Sequence, residues 1–129
     1  MFQRIVVGIS KADTAQVAAR HAHDLAVPFQ AELHLVSATQ PAPGESADVT
    51  RRHSQALLES VAAGAGVATQ IHVFPGDPAE ALVTVCADVA ADLVVVGNVG
   101  MQGKGHRLGS VPNDVAHRAP CSVLIVDSS

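Results

Sequence analysis

The chain has 129 residues and a formal net charge of −4, with 48% apolar residues but only 2% aromatic ones. That length fits one domain, residues 1–129, that buries its core without a disulfide or metal. The acidic balance and the lack of Trp and Tyr exclude a basic, aromatic-lined nucleic-acid surface.

The opening residues, Met1-Phe2-Gln3-Arg4-Ile5, carry no signal-peptide pattern, and no apolar run approaches the ~18 residues of a membrane span. A cytoplasmic protein that makes no membrane contact is expected. Ile5-Val6-Val7-Gly8-Ile9 is the first of four short, continuous apolar runs. The others are Leu33-His34-Leu35-Val36, Leu93-Val94-Val95-Val96 and Val123-Leu124-Ile125-Val126. Continuous rather than alternating runs predict strands buried on both faces. Ile71-His72-Val73-Phe74 alternates and predicts an edge strand.

Helical patterns fill the intervals. Ala15, Ala18, Ala19, Ala22 and Ala26 form a first stripe, with Asp13 as its cap. A weaker stripe through Val49, Ala56, Leu57 and Val61 predicts a helix over about 47–63. Ala79, Leu82, Val83, Cys86, Ala87 and Ala90 follow the i, i+3, i+4, i+7 pattern, with Asp77 as cap and Pro78 in the first position. Val111, Val115, Ala116 and Ala119 mark the last helix. Alternating strands and helices predict a parallel α/β sheet with right-handed crossovers. Residues 39–46 have the composition of a mobile loop. Cys86 and Cys121 lie 35 positions apart and read as small core residues rather than a redox or metal pair.

The chemistry-bearing segment follows the fourth strand: Gly97-Asn98-Val99-Gly100-Met101-Gln102-Gly103-Lys104-Gly105-His106-Arg107-Leu108-Gly109-Ser110-Val111. Its glycines let backbone N–H groups approach an anion closely, and Gly109-Ser110 leads into a helix whose first N–H groups and dipole favour one too. Ser110 is the expected N-cap, or a phosphate-binding hydroxyl. Lys104, His106 and Arg107 are the one cationic cluster placed to meet phosphates. The Walker A template fails at Asn98 and Gly105, and the dinucleotide fingerprint fails at Leu108.

From Ala91 to Val126 the sequence resembles the universal stress protein family, whose nucleotide-binding members carry G-x2-G-x9-G-[S/T] at this place. Gly97, Gly100, Gly109 and Ser110 occupy its fixed positions, and the flanking Val-Gly-Asn-Val-Gly and Ala-Pro-Cys-Ser-Val-Leu-Ile-Val are similar to members. The opening Ile-Val-Val-Gly-Ile and the Gly76-Asp77-Pro78 turn fit as well. Two departures stand out. The spacer between Gly100 and Gly109 has eight residues, and Ser10 stands where the family usually has an Asp at the end of strand one.

The resemblance implies a five-stranded Rossmann-like sheet of order 3-2-1-4-5 with helices on both faces. It implies an adenine nucleotide (ATP, AMP or cyclic AMP), with Mg present only if it arrives with ATP. The ligand would meet Ile9, Ser10, Val36, Val96, Gly97, Gly100, Lys104, Arg107, Gly109, Ser110 and Val111, with Val36 at the adenine. A stress-response binder is expected, not an efficient enzyme, and any ATP hydrolysis should be slow. The alternative is a nucleotide-independent dimeric module of the same fold, toward which the loss of the strand-one Asp moves the chain.

Rival chemistries find less support. Gly8-Ile9-Ser10-Lys11-Ala12 lacks the second glycine of a G-x-S-x-G nucleophile elbow, and no two histidines have metal-ligand spacing with a carboxylate partner. The fifth strand, residues 121–126, is apolar and free of charge until Asp127, and no later segment is long enough to cover it. As a sheet edge it predicts a homodimer, and the family commonly pairs this strand across a two-fold axis.

Overall fold

The computed structural model describes residues 2–9, 15–41, 43–98 and 108–127. The elements run β1 (Arg4–Gly8), α1 (Ala15–Phe29), β2 (Glu32–Thr39), α2 (Ala47–Ala62), β3 (Thr69–Pro75), α3 (Pro78–Asp88), β4 (Leu93–Asn98), α4 (Ser110–Arg118) and β5 (Ser122–Asp127). All strand pairs are parallel, in the order β3-β2-β1-β4-β5. The expected fold class is the observed one.

The apolar runs of β2, β1 and β4 form the centre of the sheet because they are buried on both sides, while that of β5 lies at an edge and is mostly half-buried. Leu35, Val7, Val95 and Leu124 lie in register across β2, β1, β4 and β5. They face a core completed by α1 and α2, where Ala18, Ala22 and Ala26 are fully buried. Val6, Val94 and Val123 line the opposite face, against Leu82, Val85 and Cys86 of α3 and Val115 of α4. Alanine on α1 lets that helix lie close to the sheet. Gly8 does the same for α3: a Cβ there would stand 3.1 Å from Leu82 Cδ1. Asp92 ties the near ends of β1 and β4 together by accepting the N–H groups of Gln3 (2.7 Å) and Arg4 (3.2 Å).

Three sequence expectations are corrected. In α2, Val49 and Ala56 are exposed, and the buried positions are Thr50, Ser54 and Leu58. These still follow an i, i+4, i+8 line, but two of them are polar. The Thr50 hydroxyl donates to Glu45 Oε1 at 2.8 Å, which makes its burial acceptable. In α3, Ala81 and Val85 are buried while Ala87 is exposed. Ala90 lies beyond the helix at φ 54°, in a closing turn where the Ala91 N–H bonds the Cys86 carbonyl at 2.9 Å. In α4, the N-cap is Gly109 rather than Ser110, and the Gly109 carbonyl accepts the first helical hydrogen bond, from the Asn113 N–H at 3.0 Å. Asp13, the expected cap of α1, lies outside the described residues.

The expected strands all form, with shifted ends: β1 stops at Gly8, before Ile9, and β5 begins at Ser122, after Cys121. β2 runs on to Thr39, β4 through Gly97 and Asn98, and β3 and β5 are the two sheet edges.

Candidate functional site

The chain lays β1 down first, then builds β2 and β3 to one side and β4 and β5 to the other. The crossovers therefore diverge at the carboxyl ends of β1 and β4, the place where open parallel sheets accept ligands. Ile9 follows β1 directly, and its N–H is held by the Val36 carbonyl at 2.8 Å. Val7 pairs with Val95, so Ile9 emerges beside Gly97. Val36 and Val96 lie on β2 and β4 at the same rim, and Gly109, Ser110 and Val111 open α4. The described candidate residues thus converge on one rim of the sheet. Ser10, Gly100, Lys104 and Arg107 lie outside the described residues.

Their side chains divide between two faces. Ile9 packs into the α1–α2 core, while Val36 and Val96 pack into the α3–α4 core. All three are at most 3% exposed, so they shape the rim from below. Ser110 is exposed and Val111 is half-buried.

The N-terminus of α4 differs from its neighbours. Ser46 caps α2 by accepting the Val49 N–H at 3.2 Å, and Asp77 caps α3 by accepting the Glu80 N–H at 2.9 Å. Gly109 offers α4 no side-chain cap. Pro112 has no N–H, so the first turn presents the N–H groups of Ser110 and Val111, with no acceptor paired to either among the described residues. An anion is the natural partner for such an end. His117 and Arg118 in the last turn complement the other end of the dipole.

Sequence reasoning missed Asn98. This side chain ends β4, is 3% exposed, and accepts the Gly109 N–H on Oδ1 at 2.9 Å. It pins the two ends of the glycine segment to each other. It also occupies the Gly109 N–H, so the groups open to a ligand begin at Ser110. The only signal in the sequence is a polar residue at the end of an apolar strand, next to a glycine.

No group of three or more His, Cys, Asp and Glu side chains is placed to hold a metal ion among the described residues. No described helix is long and apolar enough to cross a membrane.

Comparison with known proteins then decides the family: the universal stress protein family profile matches residues 1–127. The chain belongs to the universal stress protein family. It is 33% identical to a universal stress protein of Thermus aquaticus, over 98% of the chain and 99% of that relative. It is 29% identical to one of Methanocaldococcus jannaschii, over 98% of the chain and 82% of the relative. Among solved structures it superposes on a universal stress protein in complex with cAMP with a TM-score of 0.78 and 36% identity, covering 99% of this chain and 98% of the other.

One polar cluster lies away from this rim. His34 is 1% exposed in mid-sheet, and its Nδ1 lies 2.9 Å from His72 Nε2 on β3. Glu32 Oε1 sits 2.8 Å from His34 Nε2 but is not aligned for a hydrogen bond, so that contact is electrostatic. Burial holds His72 below its ordinary pKa, with the neighbouring His34 adding to the effect and Asp88 opposing it.

Proposed function

We propose that the chain is a regulatory adenine-nucleotide-binding protein of a single domain, acting in the cytoplasm as a homodimer. The observation that carries this reading is the uncapped start of α4 at the crossover point of the sheet. A phosphate group takes the position that Ser46 and Asp77 oxygens hold at α2 and α3. Ser110 and Val111 supply N–H groups, and the Ser110 hydroxyl adds a donor. The 36% identical universal stress protein in complex with cAMP supports the ligand class. Gly97 and Gly100 give close backbone approach. Lys104 and Arg107 neutralise phosphate charge, and Ser10 meets the ribose in place of a carboxylate. Ile9, Val36 and Val96 form the floor beneath the base and sugar. Mg enters only as a companion of ATP.

The described rim offers donors and positioning groups but no paired nucleophile and base, which favours binding over rapid turnover. Calorimetry with ATP, AMP, cyclic AMP and adenosine tests the reading. Binding of at least one nucleotide more tightly than adenosine is expected; no heat with any of them at millimolar concentration overturns it.

The presence of Ser10 in place of the family's usual Asp favours a second reading, a nucleotide-independent interaction module. Bulky substitutions at Gly100 and Gly109 separate the two. If the folded double variant keeps full cellular function, the loop is not a ligand site.

The dimer reading rests on β5, an edge strand whose Val123, Leu124 and Ile125 are only partly buried. Light scattering should show a wild-type dimer and a monomeric Leu124→Lys. A wild type that is monomeric at tens of micromolar removes the dimer.

A further inference from the structure

Cys86 and Cys121 are far apart in sequence, yet the fold brings both to the turn that precedes β4. Cys86 lies on α3, 1% exposed, and its carbonyl accepts the Ala91 N–H at 2.9 Å. Cys121 immediately precedes β5, whose first residue, Ser122, pairs with Leu93, so Cys121 runs beside Asp92. Both side chains belong to the α3–α4 core, Cys86 buried within it and Cys121 packed against it, and each thiol lies near enough to influence the other's titration. Both are free.

We propose that Cys86 and Cys121 are a disulfide-forming pair, a modification site at which a small-molecule disulfide oxidises the chain and staples α3 to the start of β5. The bond closes residues 86–121 into a loop that contains β4, the whole glycine segment and α4. Cys121 is half-buried and therefore the entry thiol. Its thiolate attacks one sulfur of the oxidant, forming a mixed disulfide and expelling one small thiolate. Cys86 then loses its proton and attacks Cys121 Sγ, expelling the second small thiolate. Two protons leave the cysteines and two electrons reduce the oxidant, which is released as two small thiols.

Burial, together with the neighbouring Cys121, pushes the Cys86 thiol up to about 12, and burial also raises Cys121. Thiolate is therefore scarce at neutral pH, and the pair rests as a dithiol that responds to sustained oxidation rather than brief pulses. Because the closed loop is long, the staple restricts the unfolded chain and stabilises the half of the fold that carries the uncapped α4.

The test uses the full chain with excess oxidised glutathione, read by intact mass, by thiol titration in guanidinium, and by thermal melting. The expected result is loss of the mass of two hydrogens on an uncrosslinked chain and disappearance of both titratable thiols. The melting temperature should rise by roughly 5–15 °C and fall back on addition of dithiothreitol. Cys121→Ser and, separately, Cys86→Ala should abolish the change. Both thiols remaining free, disulfides found only between chains, or a stable glutathione adduct on Cys121 would overturn the pair. A disulfide that forms with no rise in melting temperature would overturn the staple. None of these readouts involves a nucleotide, so the test stands apart from the ligand reading.

Discussion

Two helices start at the same rim of the sheet and solve the same problem in opposite ways. At α3 the chain supplies its own capping oxygen from Asp77, and Pro78 removes one of the N–H groups that would need a partner. At α4 the cap is a glycine with no side-chain oxygen of its own, and Asn98 Oδ1 accepts the Gly109 N–H. The first start carries a side-chain cap; at the second, the Ser110 and Val111 N–H groups have no acceptor among the described residues. A helix end without a side-chain cap keeps its positive dipole and free donors available to an anion.

The comparison can be broken most directly by giving α4 what α3 has. Gly109→Asp would place a carboxylate in the phosphate position. Nucleotide affinity should fall about 30- to 100-fold, roughly 2–3 kcal/mol, with adenosine much less affected and the melting temperature unchanged or higher. Equal losses for adenosine and ATP in calorimetry would show that phosphate does not sit there. Gly109 already has φ −65°, and a Cβ there would meet Asn98 Oδ1 at 3.4 Å, an ordinary contact, so the variant should fold.

Removing the clasp is the next largest change. Asn98→Ala leaves the Gly109 N–H without its acceptor and should cost about 1–2 kcal/mol of stability. Hydrogen exchange should quicken at Gly109 first. Unchanged exchange there would mean that the clasp does not hold in solution.

Asp77→Ala is the matching change at the closed end. It should cost about 1 kcal/mol in denaturant unfolding and leave nucleotide affinity alone. A loss of affinity as large as that of Gly109→Asp would erase the distinction between the two helix starts.

The smallest effect concerns pH. His72 has a lowered pKa in the fold, so the native state prefers the neutral ring. Its contribution to stability is present above the unfolded value of ~6.5 and is lost as pH falls through that value toward the folded one. Asp88, near His72, tempers the loss. Denaturant midpoints from pH 7.5 to 5 should fall less for His72→Gln than for the wild type. Parallel curves would place the acid sensitivity elsewhere.

The sheet was legible because β1, β2, β4 and β5 are continuous apolar runs, a pattern that burial on both faces requires. The order of the strands came from the family resemblance, since periodicity gives strand identity but not neighbours. The buried line of α2 was not legible, because Thr50 and Ser54 occupy two of its three places and only tertiary contacts show that they point inward. Asn98 was invisible for a related reason: a buried amide and a loop amide look alike in sequence. Both cysteines read as core residues, and both are packed in the α3–α4 core. Their contact stayed hidden because it depends on where β5 lies beside β4.

The Asn98–Gly109 hydrogen bond has a consequence for how this protein can change. It fixes the two feet of the segment between them on the sheet and the helix, independently of what that segment contains. Lengthening a loop whose ends are already held costs little, about 0.6 kcal/mol per doubling. The stretch from 99 to 108 is therefore exchangeable, like the blade of a tool whose handle stays the same. Insertion and deletion there leave both feet in place, and in this chain the spacer between Gly100 and Gly109 is eight residues long.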